Sequence, residues 1–228
     1  MKDRYEVWEC KTPFKRVTFL AFKNALNEAE SNCGGEGYVT LKALAAQLTT
    51  KAWAGLDDEN SELAKLLLSD AFKDPSKGQS AEQIDKDFLM MFGLLHCVDN
   101  AKHPMEKAKG FYEVLQEGGF ERHKQISAGD KDFKPAFLKM CNLVTAELFE
   151  FSTVKKVYDE AQVDELKGIM EENIMEAWLE DVYDVKSSLV NDAWLQKVTN
   201  EAKWVFDAVA LRGRIFKEAG VDVKHIAA

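Results

Sequence analysis

Long apolar segments are missing from this sequence of 228 residues. No run reaches the roughly 18 consecutive apolar residues that a membrane-spanning helix requires. The opening stretch, MKDRYEVWEC, also lacks the apolar segment of a secretion signal. We therefore expect no membrane partner and a location in the cytoplasm.

Positive charge is also scarce, since 39 acidic residues stand against 30 lysines and arginines and give a net charge of −9. Binding to nucleic-acid phosphates or to an anionic membrane depends on a basic protein surface. The composition therefore argues against both of these partners. It favours a protein partner that is basic, such as a basic amphipathic helix.

Cysteine is limited to Cys10, Cys33, Cys97 and Cys141, which are scattered and form no CxxC pair. This spacing predicts neither a zinc knuckle nor a dithiol redox motif. We expect reduced thiols that pack as small hydrophobic groups.

Catalytic signatures are missing as well. The sequence contains no glycine-lysine phosphate loop, no GxSxG turn and no histidine-glutamate metal motif. His96 and His103 lie near Cys97, but no motif places an acidic residue to orient them, and His96 is predicted to end a helix. We predict a non-enzymatic protein without a cofactor, and a helical enzyme or chaperone of unrecognised type is the alternative.

Helical periodicity dominates what is present, and it predicts an all-α fold. The segment 104–151 contains two apolar series at helical spacing, separated by the polar stretch EGGFERHKQIS. Its two glycines favour a helix end, whereas Ile126-Ser127 favours a short strand followed by a helix cap. Pro135 predicts that the second helix begins near Phe133, because proline is tolerated only in the first turn.

This order of helix, turn, short strand, cap and helix resembles an EF-hand. In that family an apolar residue takes the eighth of twelve loop positions, and oxygen ligands bind calcium from others. With Ile126 eighth, Glu121 falls third and Asp130 twelfth. The resemblance implies these two carboxylates as candidate ligands for weakly bound calcium.

A second frame of the same kind lies in the glycine-rich stretch before Tyr38. With Val39 eighth, Asn32 is first, Glu36 is fifth and Gly37 falls at the sixth position, where the family turns sharply. The resemblance therefore implies Asn32 and Glu36 as further candidate metal ligands. A glycine-rich connection between two helices explains the same letters.

The resemblance implies paired EF-hand-like units in two lobes, with additional C-terminal helices. We predict a leader at 1–13, an N-terminal lobe at 14–98, a C-terminal helical lobe at 104–220 and a tail at 221–228. In the first lobe the patterns predict a helix from Phe14 to Ala29, followed later by helices at 60–73 and 81–97. A capping box starting at Ser80 would begin the last of these.

Three of the five tryptophans, Trp178, Trp194 and Trp204, lie in the last third of the chain. Their helical spacing favours packing in a core. An exposed groove lined by aromatic and methionine side chains, which would bind a partner helix, is the alternative. A homodimer interface would bury them equally well.

The resemblance implies a non-enzymatic interaction or structural protein that acts as a helical scaffold. Diverged members of that family sit on cytoskeletal assemblies, including ciliary microtubules, so a cytoskeletal partner is an expectation that comes from the family alone. The alternative within the family is a calcium sensor that recognises a partner helix.

Overall fold

The computed structural model describes residues 4–115, 125–129, 133–145, 160–184 and 188–220. The described chain is mostly helical, as predicted, and none of its helices is long and apolar enough to cross a membrane. The α-helices are α1 Arg4–Lys11, α2 Phe19–Asn32, α3 Leu41–Gln47, α4 Glu62–Leu67, α5 Lys86–His96, α6 Glu106–Leu115, α7 Phe133–Val144, α8 Glu160–Ile169, α9 Met175–Tyr183, α10 Asn191–Glu201 and α11 Ala208–Glu218. The strands are β1 Tyr38–Thr40, β2 Gln83–Asp85, β3 Gln125–Ser127 and β4 Ser188–Val190.

Two short antiparallel strand pairs organise the helices. β1 pairs with β2 so that Val39 lies opposite Ile84, and β3 pairs with β4 so that Ile126 lies opposite Leu189. Each strand sits directly before, or a few residues before, a helix. Val39 and Ile126, the residues predicted to occupy equivalent loop positions, are therefore the central residues of the two pairs.

Side-chain caps explain where several helices begin. The Thr40 hydroxyl accepts a hydrogen bond from the Ala43 backbone N–H at 3.2 Å, and Ser61 accepts one from Ala64 at 3.1 Å. A side-chain oxygen at this position satisfies one of the free N–H groups of the first turn. The predicted start of α7 at Phe133 is confirmed.

The first predicted helix begins later than expected. Pro13–Arg16 forms a single 3₁₀ turn, and Thr18 is extended and forms an isolated bridge with Val98. α2 therefore begins at Phe19, and the Thr18 hydroxyl caps it through the Ala21 N–H. Local periodicity could not reveal the bridge, because its partner lies about 80 residues away in the chain.

The predicted helix at 81–97 is also corrected. Gln83–Asp85 is strand β2, and α5 begins only at Lys86, after the Asp85 carboxylate accepts hydrogen bonds from the Asp87 and Phe88 N–H groups. The predicted helix at 60–73 is likewise shorter, since α4 ends at Leu67 and a 3₁₀ turn follows. At residues 83–85, pairing with strand β1 outweighs the helical pattern of the sequence.

The C-terminal third contains two further departures from the sequence pattern. A π-helical turn at Met170–Ile174 joins α8 to α9. The pattern after Ser188 predicts one closing helix, but β4 comes first, and Lys203–Phe206 forms a 3₁₀ turn that separates α10 from α11. Gly220 ends the last helix with φ of 64°, as expected for a glycine stop.

Buried side chains from both predicted lobes join one hydrophobic core. α2 packs closely against α5 and α6 at two glycines. A β-carbon at Gly93 would collide with the ring of Phe22, and one at Gly110 would collide with the ring of Phe19. The Phe111 ring lies edge-on to the Trp178 ring, and the Phe133 ring stacks on it. Each large ring of this kind removes roughly 150–250 Å² from water.

A buried ion pair attaches the N-terminal helix to the last helix. Glu9 of α1 and Arg212 of α11 are both fully buried, and their side chains are joined by two N···O contacts of 2.7 and 3.1 Å. His96, at the end of α5, places its Nδ1 3.9 Å from a Glu9 oxygen. The predicted leader thus contains a helix that packs on the body of the protein.

Candidate functional site

The first two candidate metal ligands do not converge. Asn32 is the last residue of α2, Glu36 lies on the glycine-rich connection between α2 and β1, and both side chains are exposed. Gly34, Gly35 and Gly37 have φ values of 99°, 74° and 75°, which L side chains rarely adopt. The glycines therefore make the turn, whereas the two candidate ligands face solvent.

Glu30, which sequence reasoning did not select, holds this loop instead. One of its carboxylate oxygens accepts a hydrogen bond from the Gly37 N–H at 3.2 Å, and the other lies 2.7 Å from the ammonium of Lys86. Lys86 is the first residue of α5 and is 56 positions away. The loop is thus attached to the neighbouring unit through an ammonium group.

The loop before β2 contains a similar arrangement around Lys77. Its Nζ lies 2.8 Å from Asp85, 3.8 Å from Asp74 and 3.8 Å from Asp87. The Gln79 side-chain amide also donates to Asp85 at 3.3 Å. Because Asp85 is fully buried, the ammonium compensates a carboxylate that has left water.

The titration behaviour of this cluster follows from its charges. Burial and the neighbouring Asp85 carboxylate raise the pKa of Asp87 to about 6. Burial opposes protonation of Lys77, but its hydrogen bond to Asp85 and the surrounding carboxylates outweigh burial and raise its pKa overall. A hydrogen bond from the Ser76 hydroxyl is the main cause of the lowered pKa of Asp74. Lys77 therefore stays charged at neutral pH.

The other two candidate ligands, Glu121 and Asp130, lie outside the described residues. Within the described part of the chain, no group of three or more histidine, cysteine, aspartate or glutamate side chains is arranged to hold a metal ion. The two loops of the first strand pair bring carboxylates to lysines instead. Sequence spacing gave no signal for this, because both lysines and both main acceptors are unremarkable charged residues.

The four cysteines form no disulfide. Cys97 and Cys141 are buried, as the pattern predicts, whereas Cys10 is exposed. Burial raises the pKa of the Cys97 thiol to about 12. This thiol is therefore un-ionised at neutral pH and is a poor nucleophile.

A cleft of about 860 Å³ lies between α9 and the segment that contains α11. We call it the Trp204 cleft. Its floor is formed by apolar and aromatic side chains, namely Ile174, Ala177, Leu179, Tyr183 and Trp204. Glu172, Glu176, Glu180 and Asp184 line one wall, and Arg214, Lys217 and Glu218 line the other.

The tryptophans divide between core and cleft. Trp178 and Trp194 are fully buried and pack against each other, which confirms core packing for these two. Trp204 is only partly buried, and its indole N–H donates to an Asp181 carboxylate oxygen at 2.9 Å. The guanidinium of Arg214 lies over the same ring, 3.9 Å from its centre. Asp181 and Arg214 thus fix the ring at the floor of the cleft.

No cation of the described residues forms an ion pair with the carboxylates on the α9 wall. Glu172, Glu176, Glu180 and Asp184 are exposed, and none of them forms an ion pair with another described residue. A row of like charges raises the local negative potential and attracts cations. The cleft therefore combines an apolar floor with an unneutralised acidic edge.

No family model, no curated protein and no solved structure matches the chain.

Proposed function

We propose that the chain is a non-enzymatic, EF-hand-like interaction protein. It acts as a helical scaffold in a larger assembly, of the cytoskeletal or ciliary kind that the resemblance implies, and it holds a basic amphipathic helix of a partner protein in the Trp204 cleft. The helix–strand–helix order around both strand pairs supports the EF-hand-like description.

One observation carries the proposal, namely the unneutralised acidic edge beside the apolar floor of the cleft. An amphipathic helix buries its apolar stripe and leaves its charged flank beside that edge. Lysines and arginines on the flank would gain carboxylates that pair with no other residue in the part of the chain that the structure describes. The net charge of −9 strengthens the attraction over longer distances.

The arrangement of the first two loops supports a scaffold rather than the calcium-sensor alternative. Calcium takes six to eight oxygen ligands, mostly carboxylates and carbonyls. Here the Glu30 and Asp85 carboxylates already contact Lys86 and Lys77. A calcium ion would have to displace an ammonium group at either loop.

The test is a titration with a synthetic basic amphipathic helix, followed by tryptophan fluorescence and by calorimetry. We expect saturable binding that weakens about 5- to 30-fold in the double variant Glu176→Gln/Glu180→Gln, because each exposed charge pair contributes about 0.5–1 kcal/mol. Glu28→Gln/Glu82→Gln is the matched control, since it removes the same charge from exposed positions away from the cleft.

Two outcomes would overturn the proposal. One is the absence of saturable binding to the wild-type protein. The other is an equal loss of affinity in the cleft variant and in the control, which would show that only net charge matters. Calcium titrated in the same calorimeter decides the alternative, because saturation below about 10 μM is the behaviour of a sensor.

A further inference from the structure

The two walls of the Trp204 cleft carry opposite charge. If the cleft binds a partner helix, as the proposed function requires, this charge difference determines which helices fit and in which orientation. The α9 wall carries carboxylates, whereas the α11 wall carries two cations, Arg214 and Lys217, and one carboxylate, Glu218. A helix with the same charge on both flanks would match only one wall.

The acidic wall has a regular spacing. Glu172, Glu176 and Glu180 follow one another at intervals of four residues along the π turn and α9, and Asp184 lies directly after the end of α9 with a non-helical backbone. Positions four apart in a helix lie on the same side and about 6 Å apart. A second helix running along this wall therefore meets it best with lysine or arginine at every fourth position.

On the basic wall, Arg214 makes an aromatic contact within the protein. Arg214 is exposed, and its guanidinium rests on the Trp204 ring instead of pairing with a carboxylate of the described chain. An exposed cation–π contact of this kind is weak. A carboxylate supplied by a partner would offer this guanidinium a charge-assisted hydrogen bond of at least comparable strength.

We propose that the Trp204 cleft selects a partner helix with charge on both flanks. Basic residues at i, i+4 and i+8 face the α9 wall, the apolar stripe covers Trp204, and an acidic residue on the opposite flank pairs with Arg214. Arg214 is thus a specificity-determining residue, which rejects helices that are basic on both flanks.

The experiment compares two synthetic helices that share the apolar stripe and the basic flank. The first has glutamate on the other flank, and the second has lysine at that position. We expect the wild-type protein to prefer the glutamate peptide by about tenfold and Arg214→Glu to reverse this preference. Lys42→Glu, which makes the same charge change at an exposed position on α3, should leave the preference unchanged.

The outcomes separate this inference from the proposed function. If neither peptide binds the wild-type protein, the proposed function fails. If both bind equally well, the cleft does not read the second flank and this inference alone is overturned. The comparison of peptides on the unaltered protein decides the matter even if Arg214→Glu does not fold.

Two other occupants of the cleft would also overturn it. A variant that ends at Gly220 and binds both peptides more tightly than the full chain would identify residues 221–228 as the occupant. Loss of peptide binding on self-association, seen by sedimentation at rising protein concentration, would identify a second copy of the chain.

Discussion

Replacing Glu9 by glutamine should remove a large part of the stability of this protein. The Glu9 and Arg212 side chains are both 0% exposed, and they come from the first and last helices of the described chain. Glutamine keeps the shape and one acceptor oxygen, but it removes the negative charge that lies 2.7 Å from the Arg212 guanidinium. Removing one partner of a buried pair costs about 3–5 kcal/mol.

The expected loss is large compared with the total free energy of unfolding. Domains are typically stable by about 5–15 kcal/mol, so this one amide would remove about a fifth or more of a typical value. With a urea m-value of about 3 kcal/mol/M, the midpoint of unfolding should fall by about 1–1.7 M. Urea titration followed by far-ultraviolet circular dichroism measures this shift directly.

Two further variants isolate the cause. Glu28→Gln changes the same chemistry at an exposed position of α2 and should shift stability by less than about 0.5 kcal/mol. The double variant Glu9→Met/Arg212→Leu removes both charges of the pair and should recover part of the loss, because neither member of the pair then remains as a buried charge facing an uncharged side chain. A shift below about 0.5 kcal/mol for Glu9→Gln, or a double variant as unstable as the two single losses added together, would refute the reasoning.

Two other predictions concern stability. Lys77→Met should destabilise the protein by about 1–3 kcal/mol in urea titration, because the buried Asp85 carboxylate loses its counter-charge, and an unchanged midpoint would contradict this. Burial, together with the nearby Lys15 and Arg212 charges, holds the pKa of His96 well below 6.5. As pH falls below about 6.5, the unfolded chain therefore protonates His96 before the folded chain does. The free energy of unfolding should decrease as the pH decreases. His96→Leu should flatten that slope in urea titrations at a series of pH values, and an unaltered slope would contradict the assignment.

Asp87 acts in the opposite direction and sets the design of the pH experiment. Its pKa in the folded protein is raised to about 6 from 3.8, so the folded state gains this proton first. Stability from this carboxyl therefore rises as pH falls from about 6 towards 4. The two effects partly cancel in the wild-type protein, and only the difference between wild type and His96→Leu isolates the histidine.

Local signals in the sequence were sufficient for some elements. Thr40 caps α3, Pro135 lies in the first turn of α7, and Gly220 ends α11, because each depends on the backbone preference of one residue. Tyr38-Val39-Thr40 also has the side chains that strands favour. These features needed no knowledge of distant contacts.

Long-range pairing decided what the sequence did not show. Gln83-Ile84-Asp85 has only one strand-favouring residue, and it becomes a strand because β1 lies beside it. The ion pair between Glu30 and Lys86 spans 56 positions, and that between Glu9 and Arg212 spans 203. Charged residues are common and mostly exposed, so a single sequence does not mark the few that become buried partners.

The distribution of internal ion pairs gives the acidic cleft its significance. Where carboxylates leave water in the described chain, a cation of the same chain accompanies them: Arg212 joins Glu9, Lys77 joins Asp85, and Lys86 joins Glu30. The acidic wall of the Trp204 cleft differs, because no cation of the described chain pairs with its carboxylates and an apolar floor lies beside them. Covering that floor would place these charges at the edge of a buried surface, where a counter-charge is needed. A partner helix of the kind proposed would therefore have to bring the cations with it, and a basic amphipathic helix meets this requirement better than an apolar or acidic one.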